Sequence, residues 1–323
     1  MATGIVSIAA YLYDFNALAQ FLFYFNILTY LLLSVVFIIR LFFFYKNLVR
    51  DFYINIRSPG FLTMVAATAI LGNQFIYFTE NYSIATYLYF FSFALWVLLI
   101  YLIFAILISK PNKPSIAQGI NGIWLLFVVS TASLSFLGCQ LIALPPISTE
   151  SLLFSSLLLF LLAGLFYFII ITLIVYRLAF FKLNPIEFLP TYWINMGAVA
   201  ILTLAGTALT DALQEGGILA SFLPFVKGLT LSFWAFASWW IPLIIILEIW
   251  RHGYKKTPIV YTPQRWGMVF PLGMYTVCTY FLAKELQIYL LDSIASTFIY
   301  LAIIAWGLSI LGLFKKIRSA LFH

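Results

Sequence analysis

The sequence predicts an all-α integral membrane protein of ten transmembrane helices, paired as five helical hairpins in a single domain, 1–323. Three observations predict it. Hydrophobic residues make up 64% of the 323 positions and charged ones only 8%, whereas soluble domains carry about a quarter charged residues. Apolar runs near the roughly 20 residues that a spanning helix needs recur along the whole chain. The charges between those runs also sort by sign on alternate connections.

The runs, broken by charges, prolines and polar clusters, fall at 1–13, 18–45, 59–79, 83–109, 117–143, 151–181, 189–212, 218–250, 264–283 and 287–314. The first stops at Asp14 and offers about 20 Å of helix against a core of about 30 Å, so its true start is expected further upstream. Its opening residues have no basic segment or cleavage site and read as part of the mature protein. The second run closes among Arg40, Lys46 and Arg50, and the third lies between Pro59 and Glu80. The fourth ends at Lys110-Pro111, and the fifth reaches toward Pro145. The sixth runs from Glu150 to Lys182, the seventh from Pro190 to Asp211, and the eighth ends at Arg251. Arg265 and Lys284 bracket the ninth, and Lys315 ends the tenth.

Fifteen of the 17 basic residues follow even-numbered runs; only Lys227 and Lys284 fall on the other side. Asp14, Glu80, Glu150, Asp211, Glu215, Glu285 and Asp292 show the reverse bias. Basic connections stay in the cytoplasm, so both termini are expected there, in a plasma or inner membrane. The same charges serve topology alone, or they also enrich anions at the inner mouth. Cys139 and Cys278 lie in apolar stretches, and His252 and His323 are the only histidines, which disfavours zinc or haem chemistry. No cofactor and no nucleic-acid partner is implied.

The runs alternate in texture. Even runs are bulky, as in "LLFSSLLLFLLAGLFYFIIITLIVY" (152–176), and suit lipid. Odd runs are rich in Gly, Ala, Ser and Thr: "MATGIVSIAA" (1–10), "FLTMVAATAILGNQF" (61–75), "GINGIWLLFVVSTASLSFLGC" (119–139) and "WINMGAVAILTLAGTALTDAL" (193–213). Small residues permit close helix packing or line a narrow passage. Because all five odd runs share this character, we expect an inner ring of odd helices around a central pore and an outer ring of even ones. The candidate lining comprises Thr3, Gly4, Ser7, Thr63, Asn195, Gly197, Thr203, Thr207, Gly267, Gly273 and Thr276. Their hydroxyls, the Asn195 amide and backbone exposed at bends would give weak anion binding suited to conduction.

"MATGIVSIAA", "SPGFLTMVAATAILGNQF" (58–75), "YWINMGAVAIL" (192–202) and "RWGMVFPLGMYTV" (265–277) together resemble the tellurite-resistance and dicarboxylate transporter family. That family includes the plant slow-type anion channels and the fungal malate and sulfite transporters. The resemblance runs in order over almost the whole chain. It implies five hairpins, a homotrimer with one pore per subunit, and permeation of small anions such as chloride, nitrate or malate. It also implies a phenylalanine of the ninth helix as the gate, which here is Phe270. Pro271 beside it leaves the Gly267 carbonyl without its helical partner and bends the helix, while Gly267 and Gly273 leave room for the ring to move. Phe270 is expected near the midplane, about eight residues into the span. Its alternative role is the packing or lipid contact that most of the 34 phenylalanines must have. Two departures stand out: the family's longer first helix, and the hydrophilic tails through which the plant channels are phosphorylated.

Two other functions compete with a channel. A proton-coupled dicarboxylate carrier, or a tellurite or sulfite exporter, would place ionisable groups near the midplane, and the odd runs show none there. A membrane-embedded enzyme would need a cluster of His, Cys, Asp or Glu, and none is visible.

Overall fold

The computed structural model describes residues 1–142, 149–214 and 217–321. Those residues are mostly helical, with no strand among them. Ten helices form the frame: α1 (Ala2–Leu12), α2 (Asn16–Phe43), α3 (Thr63–Thr79), α4 (Tyr82–Ser109), α5 (Leu126–Gln140), α6 (Thr149–Phe180), α7 (Ile194–Leu213), α8 (Leu223–Glu248), α9 (Trp266–Leu286) and α10 (Tyr289–Leu321). Among the described residues nine of these, with their short leading turns, are long and apolar enough to cross a membrane. The exception is α1, whose 11 residues reach about 16 Å, half a bilayer core.

Texture and burial follow one another. Only 17% of the most apolar stretch of α2 is buried, against 83% of that of α7. The even helices expose rows of Leu, Ile and Phe, as at Leu31, Leu32 and Leu33 of α2 or Leu165 and Ile169 of α6. A soluble protein would not leave such continuous apolar faces bare; lipid is their solvent. Each odd helix packs on the even helix that follows it. The odd helices also touch one another in a closed circuit: α1 on α3, α3 on α5, α5 on α7, α7 on α9, and α9 back on α1. Small residues permit this approach, since a Cβ added at Gly72 would strike Leu137 of α5 at 2.8 Å.

At one face of the bundle four odd helices begin alike. The 3₁₀ turns Ser58–Leu62, Gly122–Leu125, Pro190–Trp193 and Pro263–Arg265 lead into α3, α5, α7 and α9, and successive turns touch. Three of them carry proline in the first turn, where its fixed φ helps and its missing N–H costs nothing. The second explains why the run at 117–143 is not one helix. Ile120 and Asn121 are extended, the Asn121 side chain accepts from the Ile123 N–H (2.9 Å), and Gly122 lies against the Thr191 carbonyl so closely that no side chain fits. The far end of that run, with Glu215 and His323, lies outside the described residues.

This is the basic face. Arg40 and Arg57 pair with Asp51 there, and Arg177 with Glu187. At the opposite, acidic face the helix pairs turn through a residue of left-handed backbone: Asp14 (φ 60°), Glu80 (52°) and Gln287 (56°), with Gly217 (56°) before α8.

Candidate functional site

The acidic face opens into a cavity of about 600 Å³ between the ends of α3, α5, α7 and α9. Tyr77, Gln140, Thr207, Asp211, Phe281 and Glu285 are among its walls. The Gln140 amide donates to the Tyr77 hydroxyl at 2.9 Å, tying α5 to α3. Two carboxylates face the cavity, and Lys227 of α8 stands 3.6 Å from Glu285. The Lys284 ammonium lies over the Tyr280 ring at 4.6 Å.

Phe270 can be placed relative to that cavity by helix geometry. It precedes Phe281 by eleven residues, which at 100° each returns within about 20° of the same direction, roughly 16 Å deeper along α9. The ring is buried, 1% exposed. It is the eighth of the 24 residues in Pro263–Leu286, a third of the way along that span from its basic-face end. Pro271 does not end the helix, which continues to Leu286. Its ring instead fills the groove left by a missing side chain on α7: a Cβ at Gly197 would stand 2.7 Å from the Pro271 Cγ.

The other sequence candidates scatter. Thr3 accepts a hydrogen bond from the Trp306 indole of α10 (3.1 Å), and the Ser7 hydroxyl donates to the Ala19 carbonyl of α2 (2.9 Å), so both face the even helices instead of the ring's interior. Gly4 faces Ile70, Asn26 and Gln74; Gly273 faces Ile5 and Val6; Gly267 faces the Pro190–Thr191 backbone. Gly4 and Gly273 stand where helices press together, whereas Gly267 has ordinary contact distances of 3.6–3.8 Å. Thr203, Thr207 and Thr276 donate to the Val199, Leu204 and Leu272 carbonyls of their own helices, leaving lone pairs rather than protons for a neighbour. Thr207 lines the cavity. Thr63, half buried, opens α3. Asn195 precedes Leu204 of the cavity wall by nine residues, half a turn around α7, and so turns toward the even helices. The Tyr167 hydroxyl of α6 donates to its backbone carbonyl (3.3 Å), while both its amide atoms lack a partner.

Two residues missed in the sequence stand about one helical turn from side chains of the cavity wall, Tyr77 and Phe136. Asn73, one turn below Tyr77, donates to the Ala69 carbonyl at 2.9 Å and leaves its buried Oδ1 unpartnered. Ser133, three residues before Phe136, donates to the Val129 carbonyl (2.7 Å). The signal for the first was present, since an Asn-Gln pair inside an apolar run is costly to bury. Gln74 of that pair accepts from Asn26 of α2 at 2.6 Å.

Comparison with known proteins adds the lineage. A family profile described as voltage-dependent anion channel matches residues 1–314. An uncharacterized membrane protein of Mycobacterium tuberculosis is 32% identical over 151 residues, 46% of this chain and 76% of the relative. An uncharacterized transporter of Methanocaldococcus jannaschii is 23% identical over 332 residues, covering 99% of this chain and 93% of its own. A second transporter of that organism matches at 23% over 338 residues.

Proposed function

Because this chain belongs to the voltage-dependent anion channel family, we propose that it passes small anions, of the chloride, nitrate or malate kind, through a pore within the circuit of odd helices, gated by Phe270. The observation that carries this reading is the alignment of Phe270 below Phe281. One face of α9 leads from the open cavity down to a buried ring. No Lys or Arg stands mid-helix in the odd helices, and the basic residues gather at one face. Anion preference then comes from that face's potential, without a tight site. The basic face is cytoplasmic on this reading, the membrane is the plasma or inner one, and three subunits each hold a pore.

Phe270→Ala tests the gate. In planar bilayers the folded, size-checked variant should conduct anions far better than wild type with little change in selectivity, and Phe270→Leu should fall between. A ring that only packs would instead cost about 3–5 kcal/mol of stability and yield no current. A well-folded alanine variant with wild-type conductance would falsify the gate.

The carboxylates of Asp211 and Glu285 at the cavity favour a second reading, a proton-coupled dicarboxylate carrier. A reversal potential under chloride, nitrate and malate gradients separates the two. Current that follows the anion gradient supports the channel, and electroneutral uptake driven by a pH gradient supports the carrier.

A further inference from the structure

At the basic face α2 ends at Phe44, whose backbone breaks the helix (φ −129°, ψ 32°), and the chain resumes as a short helix, Tyr45–Phe52. That helix is amphipathic. Leu48 and Phe52, four apart, are buried, while Lys46, Asn47 and Arg50 are exposed. Between it and the end of α2 lies a cleft of about 400 Å³, lined by Arg40, Arg50 and Arg57 together with the apolar Val36, Ile39 and Phe44. Val36 and Ile39 belong to the bare face of α2, where they are 52% and 45% exposed.

Asp51 organises the cations. One of its oxygens takes Arg40 at 2.5 Å and the other takes Arg57 at 3.0 Å. Burial alone would raise this carboxyl, but the two guanidinium hydrogen bonds and charges hold it below its ordinary value, so it stays ionised. Each paired guanidinium has five N–H donors and uses one of them here. Arg50 has no ion-pair partner among the described residues. Three cations against one anion leave two positive charges, fork-shaped donors and adjoining aliphatic side chains at the depth where a spanning helix leaves the bilayer. Guanidinium forks match phosphate oxygens in geometry as well as charge.

We propose that Arg40, Arg50 and Arg57, gathered by Asp51 in this cleft, bind the phosphate headgroup of an anionic phospholipid whose acyl chain lies along Val36, Ile39 and Phe44. Topology alone requires basic residues at this face. It requires neither arginine at all three positions, nor a half-buried carboxylate to aim them, nor an adjoining row of exposed apolar side chains. The site is also coupled to the inner circuit. Arg57 precedes the 3₁₀ turn that opens α3, and Phe52 stacks on Phe61 of that turn (4.1 Å, 12°). Lys110 completes the clasp by donating to the Tyr53 carbonyl and the Asn55 side chain.

The full chain, purified and exchanged into nanodiscs of phosphatidylcholine with graded phosphatidylglycerol, gives the test by native mass spectrometry. This readout does not depend on the protein being a channel. Wild type should retain phosphatidylglycerol over phosphatidylcholine. Arg50→Gln, which leaves both Asp51 pairs intact, should weaken retention about five-fold, and Arg50→Lys should recover part of it. Lys315→Gln/Lys316→Gln, equally basic but without a cleft, should change retention little. Equal losses from both sets of variants would reduce the cluster to general surface charge and overturn the proposal. Inorganic phosphate displacing the lipid at millimolar concentration, or Arg50→Gln dissociating an oligomer without altering lipid retention, would overturn it as well. If retention behaves as expected while conduction does not respond to phosphatidylglycerol, the site stands and only its coupling to the proposed pore falls.

Discussion

Adding one methyl group at Gly197 tests the contact that holds the proposed gate. The Cβ of Gly197→Ala would lie 2.7 Å from Cγ, 2.9 Å from Cβ and 3.2 Å from Cα of Pro271. Non-bonded carbons rest at about 3.5–4.0 Å, so α7 and α9 must part locally by roughly 0.8 Å. A proline ring has no rotamer through which to turn aside, and Cα is backbone, so the strain has no cheap outlet. Overpacking of this kind costs about 1–3 kcal/mol, offset by up to about 1 kcal/mol that alanine gains over glycine in a helix. The expected net loss is about 1–2 kcal/mol, read as a lower melting temperature in detergent. Pro271→Ala removes the ring carbon at fault, so in that background the penalty should shrink, giving a coupling of about 1 kcal/mol. Gly228→Ala and Gly307→Ala, where nothing lies within 4 Å, serve as controls and should be neutral or slightly stabilising. A Gly197→Ala protein that melts with wild type, with no coupling to Pro271→Ala, would refute the close approach.

Other expectations are more local. Asp211→Asn or Glu285→Gln removes a negative charge from the acidic-face cavity and should raise anion current about two-fold at low salt, an effect that disappears near 1 M salt. Loss of all transport would instead point to the carrier. Glu80→Gly relieves a left-handed backbone at the end of α3 and should stabilise the protein by up to about 1 kcal/mol in thermal melts. Gly122→Ala should abolish monodisperse protein on size-exclusion chromatography, because its Cβ would land on the Thr191 carbonyl, whereas Gly60→Ala, in open space, should purify normally.

Span number and class were legible because hydropathy and charge act over twenty residues at a time, and few local details can mask them. Alternation of texture along the chain also corresponds to the alternation in burial. Side-chain direction was less legible. Texture marks α1 as an inner helix but cannot say which of its faces turns inward, and Thr3 and Ser7 prove to be engaged by α10 and α2. The glycines carried a similar ambiguity: a position without a side chain fits a passage or a helix contact equally well, and only the neighbour's identity decides. The Tyr45–Phe52 helix was hidden because eight residues with three charges read as a basic loop until Leu48 and Phe52 are seen on one side.

The contact between Pro271 and Gly197, with Gly273 seated on Ile5 and Val6 two residues along, fixes what kind of motion a gate at Phe270 could use. Its backbone is held from α7 and from α1, so opening falls to the two torsions of the side chain. Exposed rotamers exchange in picoseconds to nanoseconds and helix displacements in microseconds to milliseconds, and a buried ring moves between those limits. Such a ring is also neutral. Moving one elementary charge through the membrane field is worth about 2.3 kcal/mol per 100 mV, and a phenyl group carries none of it. A gate of this construction has no gating charge of its own. Any response of the current to voltage must then enter through the permeating anion, and so should change when one anion is exchanged for another.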